Sequence, residues 1–562
     1  MILPKPSLQS HKKDHDRSWL LFLLAAVLSV ITTYYVSAHY IDSDTSSELV
    51  LARHWIETKH ILSEDWLYGS EIRLLHVQLI YVPLMLLLEN WLLVRYIGAL
   101  IMQALFLLSF ACLVHAAGKD QRFFFRGAAM LLLPVSVSYG RIVLYHNHYL
   151  PNITISFFLI AISLYFTREV NWSSKKTWIH LLLLAMFSFA GGLNSIRQLM
   201  ITHTPLLLIA VVLCWIEDAR NDDCSKSAFL RTTNQNFLFC CIYGTAFSLL
   251  GLKAQGYLCS RLGLRIGIQS ENNTLSLLDS EYLNDLLYGF FHQFGYRNYV
   301  PMLSITGILA LGGIFTGCYL LFMSVTRLLQ SKPSQDRRQT VLSVFFLAYT
   351  VVMTLVFLVT RGSEPLYYYP LYLSLCFPWA VPLVLCNLED LPVSLHPLRM
   401  KKLFAIVTVI LLLLSGTVNI LYFQGSERFP QIYEGLGFQD RDKKAELTEV
   451  VTYLTEQGYD KGYACHWESN IVTEMTNGQM PMVTLFFIDN GQSGNLLYAE
   501  YLYQLWLKES PCEKPFLLIT EEMAAPFLNS DSSAYCTEIY SGHGHLAYSI
   551  DNLEAFIKTL HS

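Results

Sequence analysis

The sequence predicts an α-helical polytopic membrane protein with a soluble α/β domain at its C-terminal end. Three observations predict it. Of the 562 residues, 53% are hydrophobic and only 15% charged, against about a quarter charged in a soluble domain. The apolar residues gather in repeated runs of roughly 17–25, the length that crosses a bilayer as a helix. Beyond Gly425 these runs stop and mixed, charged sequence takes over. A disordered or wholly soluble chain is excluded. A net charge of −5 offers nucleic acid no electrostatic hold.

Eleven spans are expected: Trp19–Tyr40, Leu92–Ala116, Phe124–Leu144, Leu150–Phe166, Trp178–Gly192, Leu199–Ile216, Phe237–Leu252, Met302–Phe322, Val341–Thr360, Tyr367–Leu388 and Leu403–Phe423. A twelfth run, Leu74–Leu88, is short and interrupted by His76, Gln78 and Pro83. Charge decides whether it crosses. Six segments, Lys5–Arg17, Lys119–Arg126, Arg168–Lys176, Arg220–Arg231, Arg327–Arg338 and Arg399–Lys402, are basic. The positive-inside rule puts all six in the cytoplasm only if Leu74–Leu88 stays at the interface. The N-terminus is then cytoplasmic and the C-terminal domain extracytoplasmic, in a plasma (inner) membrane. The first span lacks a small-residue cleavage site and reads as a retained anchor.

The chain thus divides into a membrane domain, 1–424, with a first outer loop at 41–91, and an α/β domain, 425–562. In the latter, Asp440–Gln457 reads as a charged amphipathic helix. Lys461–His466, Met482–Ile488, Phe516–Thr520 and Thr537–Tyr540 read as strands, with Leu496–Leu507 and Asn552–Leu560 as helices. Of the twelve cysteines only Cys465, Cys512 and Cys536 lie here, enough for one bridge at most. No P-loop, GxGxxG, HExxH or CxxC motif occurs, so ATP-driven transport and zinc hydrolysis gain no support.

Chemistry concentrates at the first membrane exit, Ile41-Asp42-Ser43-Asp44-Thr45-Ser46-Ser47-Glu48. Asp44 reads as the N-cap of a surface helix, Thr45–Thr58, with a carboxylate four residues on. Leu49, Ala52, Trp55 and Ile56 would form its apolar face. Capping and solvation account for Asp42 and Glu64. Asp44 is also placed where a base would meet a lipid head group.

An acidic residue just after the first span, in a long outer loop with surface helices, resembles the GT-C superfamily of membrane glycosyltransferases. That group includes protein mannosyltransferases, aminoarabinose transferases and oligosaccharyltransferase catalytic subunits. Val82-Pro83-Leu84, Trp91, Arg95 and Gly98 are similar to the Pro-Leu…Arg pattern of the mannosyltransferase-like branch. The usual Asp-Glu pair is here Asp42-Ser43-Asp44, and the paired prolines reduce to Pro83. Gly462-Tyr463-Ala464, Trp467, Asn470, Thr473-Glu474 and Asn477-Gly478 look like the extracytoplasmic domain of uncharacterised bacterial members.

The resemblance implies transfer of a sugar from a polyprenyl-phosphate donor to an extracytoplasmic acceptor: a cell-envelope glycan, lipid or protein. It implies Asp44 as base, with Glu48, Asp42 or Glu71 as second carboxylate, and cations on the leaving phosphate. Arg361, in the late loop Arg361–Pro370, resembles the family's phosphate-binding Arg-Tyr…Pro element. Arg197, after the helix-breaking Gly191-Gly192, is either a second phosphate contact or a snorkelling side chain. Tyr367 and Tyr368 flank the substrate site in this reading. In the second outer loop, His146 and His148 would hydrogen-bond substrate, pack at the interface, or bind a divalent metal with Asp44 or Glu48 as third ligand. Three rivals stand beside it. A transporter or flippase would need intramembrane charges and an inverted repeat, and few charges and no repeat are visible. A polysaccharide polymerase or ligase would lean on late-loop arginine and histidine. A non-catalytic envelope scaffold would not need Asp44.

Overall fold

The computed structural model describes residues 17–69, 71–144, 149–220, 227–266, 280–296, 302–330, 336–359, 374–389, 396–422, 443–489, 494–499, 502, 504–508 and 510–560. The protein is an integral membrane protein by its helices. Among the described residues, eight are long and apolar enough to cross a membrane, from α1 (Ser18–His39) to Arg337–Leu358. Two expected spans, around Phe377–Leu388 and Ile406–Ile420, keep shorter apolar helices. The expected span Phe124–Leu144 needs correction: Gln121–Leu132 and Val137–Leu144 meet at 107°. Pro134 lies in the break, where it cannot donate to a helix ladder. The carbonyls freed there find side chains instead. Asn419 Nδ2 donates to Pro134 O (2.8 Å), Ser415 Oγ to Val135 O (2.7 Å) and Tyr139 Oη to Leu131 O (2.6 Å). Such pairing is what lets irregular backbone persist at membrane depth.

Polar side chains also tie straight spans together. Gln103, on α4 (Trp91–Ala116), donates to Thr33 Oγ1 and Val143 O, both at 2.9 Å, and accepts from Ser29 Oγ at 3.1 Å. The helices Lys175–Asn194 and Ser227–Leu262 touch backbone to backbone. A Cβ on Gly192 would overlap the Ser248 carbonyl, and one on Gly251 the Phe189 carbonyl. Small residues permit that approach where no hydrophobic drive exists between helices in lipid.

The segment 74–88 holds only the eight-residue helix α3 (Gln78–Met85), too short to cross. The helix of the first outer loop, α2 (Ser43–Thr58), was expected to lie half-exposed on the membrane. Instead 11 of its 16 residues are buried, because the His466–Met475 helix of the C-terminal domain packs on it. That domain is a six-stranded sheet in the order β5-β4-β3-β6-β8-β7. Its strands are β3 (Lys461–Cys465), β4 (Met482–Asp489), β5 (Gly494–Tyr498), β6 (Pro515–Thr520), β7 (Cys536–Gly542) and β8 (His545–Ile550). β3 pairs parallel with β4 and β6, and the outer pairs are antiparallel. The remaining pair, β1 (Leu67–Tyr68) with β2 (Arg265–Ile266), joins the segment after α2 to the one after the Ser227–Leu262 helix.

The helix expected at Leu496–Leu507 is β5 followed by a short turn of helix at Leu505–Lys508. Pairing with β4 overrides the leucine-rich local preference there. β8 was not anticipated. It forms a hairpin with β7 through His543 (φ +50°) and Gly544 (φ +77°), the two left-handed positions of a tight hairpin turn. Cys465, Cys512 and Cys536 are all free thiols, so the bridge the sequence allowed is not formed.

Candidate active site

The first turn of α2 organises the site. Its N-cap is Asp42, not Asp44: the Asp42 carboxylate accepts from Asp44 N (2.9 Å) and Thr45 N (3.4 Å). An extended cap residue is needed to satisfy those amides, and Asp42 has that backbone (φ −133°, ψ 140°). Asp44 therefore sits within the first turn and its carboxylate is released from capping. Its side chain keeps 28% exposure, and His466 Nε2 lies 3.2 Å from Oδ1.

Glu48, one turn on, is buried at 2%. Arg73 Nη1 meets its Oε1 at 2.7 Å, His76 Nδ1 its Oε2 at 3.2 Å, and Gln78 Nε2 donates to Oε2. Burial alone would raise the carboxyl pKa, but the charges of Arg73 and His76 and these hydrogen bonds outweigh it and hold Glu48 below the usual range. Arg73 adopts a left-handed backbone (φ +58°) to reach it, a conformation that side-chain-bearing residues hold at a cost.

The third side of the turn meets α4 and the C-terminal domain. Arg95, 1% exposed, donates from Nε to Glu474 Oε1 (2.7 Å) and from Nη2 to Oε2. It also donates to Thr45 Oγ1 (2.9 Å) and Ser46 Oγ (3.2 Å), and Ser46 Oγ donates to Glu474 Oε2 (2.7 Å). Asn470 Nδ2 donates to Ser43 Oγ (3.2 Å), which donates to the His466 carbonyl. After the His466–Met475 helix, Asn477 Oδ1 accepts from Trp91 N (2.9 Å). Gly478 (φ +79°) lies where a Cβ would strike the Trp91 ring, so both its backbone and this close approach require glycine. The two stretches singled out in the sequence, Trp91–Gly98 and Gly462–Gly478, are thus the two faces of one contact.

A second cluster gathers Glu71 and Arg197. Arg197 Nη1 lies 2.8 Å from Glu71 Oε1, and its guanidinium is 4.9 Å over the Tyr149 ring. Asn194 Nδ2 (3.1 Å) and Ser195 Oγ (3.3 Å) also donate to Glu71. Gly191-Gly192 does not break the helix as the sequence suggests: it runs through both to Asn194, Gly192 packing against Ser248, and the break at Ser195 places these groups before a single π-helical turn, Leu199–His203. Glu71 and Arg73 point to different partners, so residues 71–73 bridge the two clusters. A cleft of about 510 Å³ opens between the turn after α3 and residues 477–479, lined by Arg53, Glu89, Asn90 and Gln479 among others. Asp44, Glu48 and Glu71 do not line it.

The structure therefore brings Asp42, Asp44 and Glu48 into one helix turn, and Glu71 onto Arg197. His146, His148, Arg361, Tyr367 and Tyr368 lie outside the described residues. Among the described residues no group of three His, Cys, Asp or Glu is placed to hold a metal. Sequence reasoning missed His466, Arg73, His76 and Glu474 as partners of this turn. The alternation of charge in Glu71-Ile72-Arg73 is a local signal for Arg73. Nothing local pointed to His466 or Glu474, which lie some 420 residues from their α2 partners.

No family model matches the sequence, and neither does any curated protein. Solved structures do align with it. An ArnT from Cupriavidus metallidurans, bound to undecaprenyl phosphate, is 12% identical over 94% of this chain and 97% of that one, with a TM-score of 0.48. An Archaeoglobus fulgidus oligosaccharyltransferase, tethered to an acceptor peptide, is 11% identical over 96% and 74%, with a TM-score of 0.45. Both are GT-C superfamily enzymes.

Proposed function

We propose that the protein is a membrane glycosyltransferase that moves a sugar from a polyprenyl-phosphate carrier to an acceptor outside the cytoplasm. The observation that carries this reading is the placement of Asp44. In a turn whose other polar residues are buried or spent on capping, this carboxylate stays partly open at the membrane exit. In the proposed reaction an acceptor hydroxyl or amine attacks the anomeric carbon from the side opposite the phosphate. The new bond to that carbon forms as the bond to the phosphate oxygen breaks. Asp44 takes the acceptor proton, the phosphate leaves with the electron pair, and the anomeric centre inverts.

Glu48 and Asp42 hold the turn in place, Glu48 through Arg73 and Asp42 through the backbone. Arg361, and less directly Arg197, are the proposed phosphate contacts. Arg197 already shares its charge with Glu71, so a phosphate would join that pair rather than meet a bare cation. His146, His148, Tyr367, Tyr368 and Glu71 are proposed around the substrate. The orientation follows the basic loops: N-terminus in the cytoplasm, sheet outside. The test is sugar release from a panel of polyprenyl-phosphate sugars by purified protein, by Asp44→Asn, and by each with EDTA. Release from one carrier that Asp44→Asn abolishes establishes the class and names the donor. EDTA sensitivity would show a metal requirement. No release from any carrier by folded protein overturns the reading.

A further inference from the structure

We infer that His466, contributed by the C-terminal sheet domain, is a positioning residue that orients the Asp44 carboxylate, so the active centre is completed only when that domain is docked. The inference rests on the glycosyltransferase reading and adds a residue to its site.

The topology leads there first. β3 lies between β4 and β6 and runs parallel to both. From β3 the chain passes to β4 on one side and only later to β6 on the other. In open α/β sheets the crevice at the carboxyl ends of strands at such a switch point is where ligands bind. The carboxyl end of β3 is Cys465, and the next residue is His466. The first turn of α2 packs against this end of β3: Ser43 Oγ donates to the His466 carbonyl, and His466 Nε2 lies 3.2 Å from Asp44 Oδ1.

The contact is also poorly explained as docking alone. Arg95 and Glu474 already join the domains through a buried, two-pronged ion pair, and Ser43, Asn470, Trp91 and Asn477 add to it. The Asp44–His466 contact is a single 3.2 Å approach with Asp44 partly in solvent. A single contact with one partner partly solvated adds little to docking. Its geometric constraint is stronger than its energy. Ser43 Oγ donates to the His466 carbonyl, so the residue beside Asp44 anchors the backbone that carries the ring. The Trp467 ring stands edge-on to the imidazole at 5.2 Å between centroids. In the tautomer with its proton on Nε2, a ring held this way donates to Asp44 Oδ1 and selects one orientation of the carboxylate.

The experiment uses full-length protein and a donor that the wild type turns over. His466→Gln and His466→Met have side chains of equal length, and only glutamine keeps an N–H. We expect His466→Met to lower kcat about 10–100-fold, the scale of a misplaced catalytic group, with the donor KM within about twofold of wild type. His466→Gln should recover most of that loss. Asp44→Asn combined with His466→Met should be no slower than Asp44→Asn alone. Melting temperatures of both histidine variants should match, since Arg95 and Glu474 are untouched. Equal turnover by wild type and His466→Met overturns the inference while leaving the glycosyltransferase reading intact. So does an equal loss in His466→Gln and His466→Met, or a loss that adds to that of Asp44→Asn. Absence of turnover by the wild type on every carrier overturns the functional reading, and the inference falls with it.

Discussion

Asp44 and Glu48 lie four residues apart on one helix, yet their surroundings are opposite. Glu48 is buried against Arg73, His76 and Gln78, with partners on both oxygens. Asp44 keeps open surface and meets one imidazole. The sequence offers the same chemical group twice, and the packing of α3 on one side and the sheet domain on the other divides the labour. A carboxylate enclosed by its partners fixes structure. One with a single contact and solvent access is available to a proton.

The largest expected effect falls on turnover. Asp44→Asn should slow transfer about 10²–10⁴-fold, the range of a lost general base, with a melting temperature within about 2 °C of wild type. Retained turnover would break the contrast at its stronger end.

Glu48→Gln should do the reverse. It leaves Arg73 buried without its counter-charge, and breaking a buried pair costs about 3–5 kcal/mol. Denaturation midpoints should fall while turnover per folded molecule survives. The pH dependence follows the same pairing. The folded pKa of Glu48 is depressed, so its contribution is complete above the ordinary glutamate pKa, 4.5, and is lost as pH falls through the folded value. The wild type should show this acid loss and Glu48→Gln should not.

A smaller effect comes from His54, further along α2. It is fully buried beside Trp66, with ring centroids 6.0 Å apart. Burial pushes its pKa down despite Asp65 and Glu57. The unfolded chain then takes up a proton near pH 6.5 that the folded chain refuses, so stability falls as pH drops below that value. The slope is at most about 1.4 kcal/mol per pH unit for one such group. Melting curves at pH 7.5 and 5.5 should converge in His54→Phe and separate in wild type.

How much of this was legible beforehand follows from the range of each interaction. The spans were readable because a bilayer imposes one length and one polarity on every crossing helix. The break at Pro134 was less so: its stability comes from Ser415 and Asn419, about 280 residues away. The acidic exit was visible as a cluster, but the assignment of the cap was off by two residues because Asp42 and Asp44 are equally good capping types. Burial of α2, and with it His466 and Glu474, depends on how a separate domain docks. No local pattern encodes that contact. β5 and β8 were misread or missed because short strands take their identity from the neighbours they pair with.

The smallest effect separates the two aspartates. The Asp42 side chain accepts the amides of Asp44 and Thr45, and removal of such a cap costs about 0.5–2 kcal/mol. Asp42→Ala should therefore lower the melting temperature slightly. Asp42→Asn, which still caps, should leave it unchanged. Asp44 rides on the turn that Asp42 starts, so Asp42→Ala should also reduce turnover a few-fold by loosening it, whereas Asp42→Asn should not. Asparagine is a cap but not a base. If Asp42→Asn matches wild type while Asp44→Asn is dead, proton abstraction belongs to the carboxylate released from capping. If Asp42→Asn is the dead variant, the N-cap itself is the base, and the division between structural and chemical acids on this helix runs one residue pair earlier.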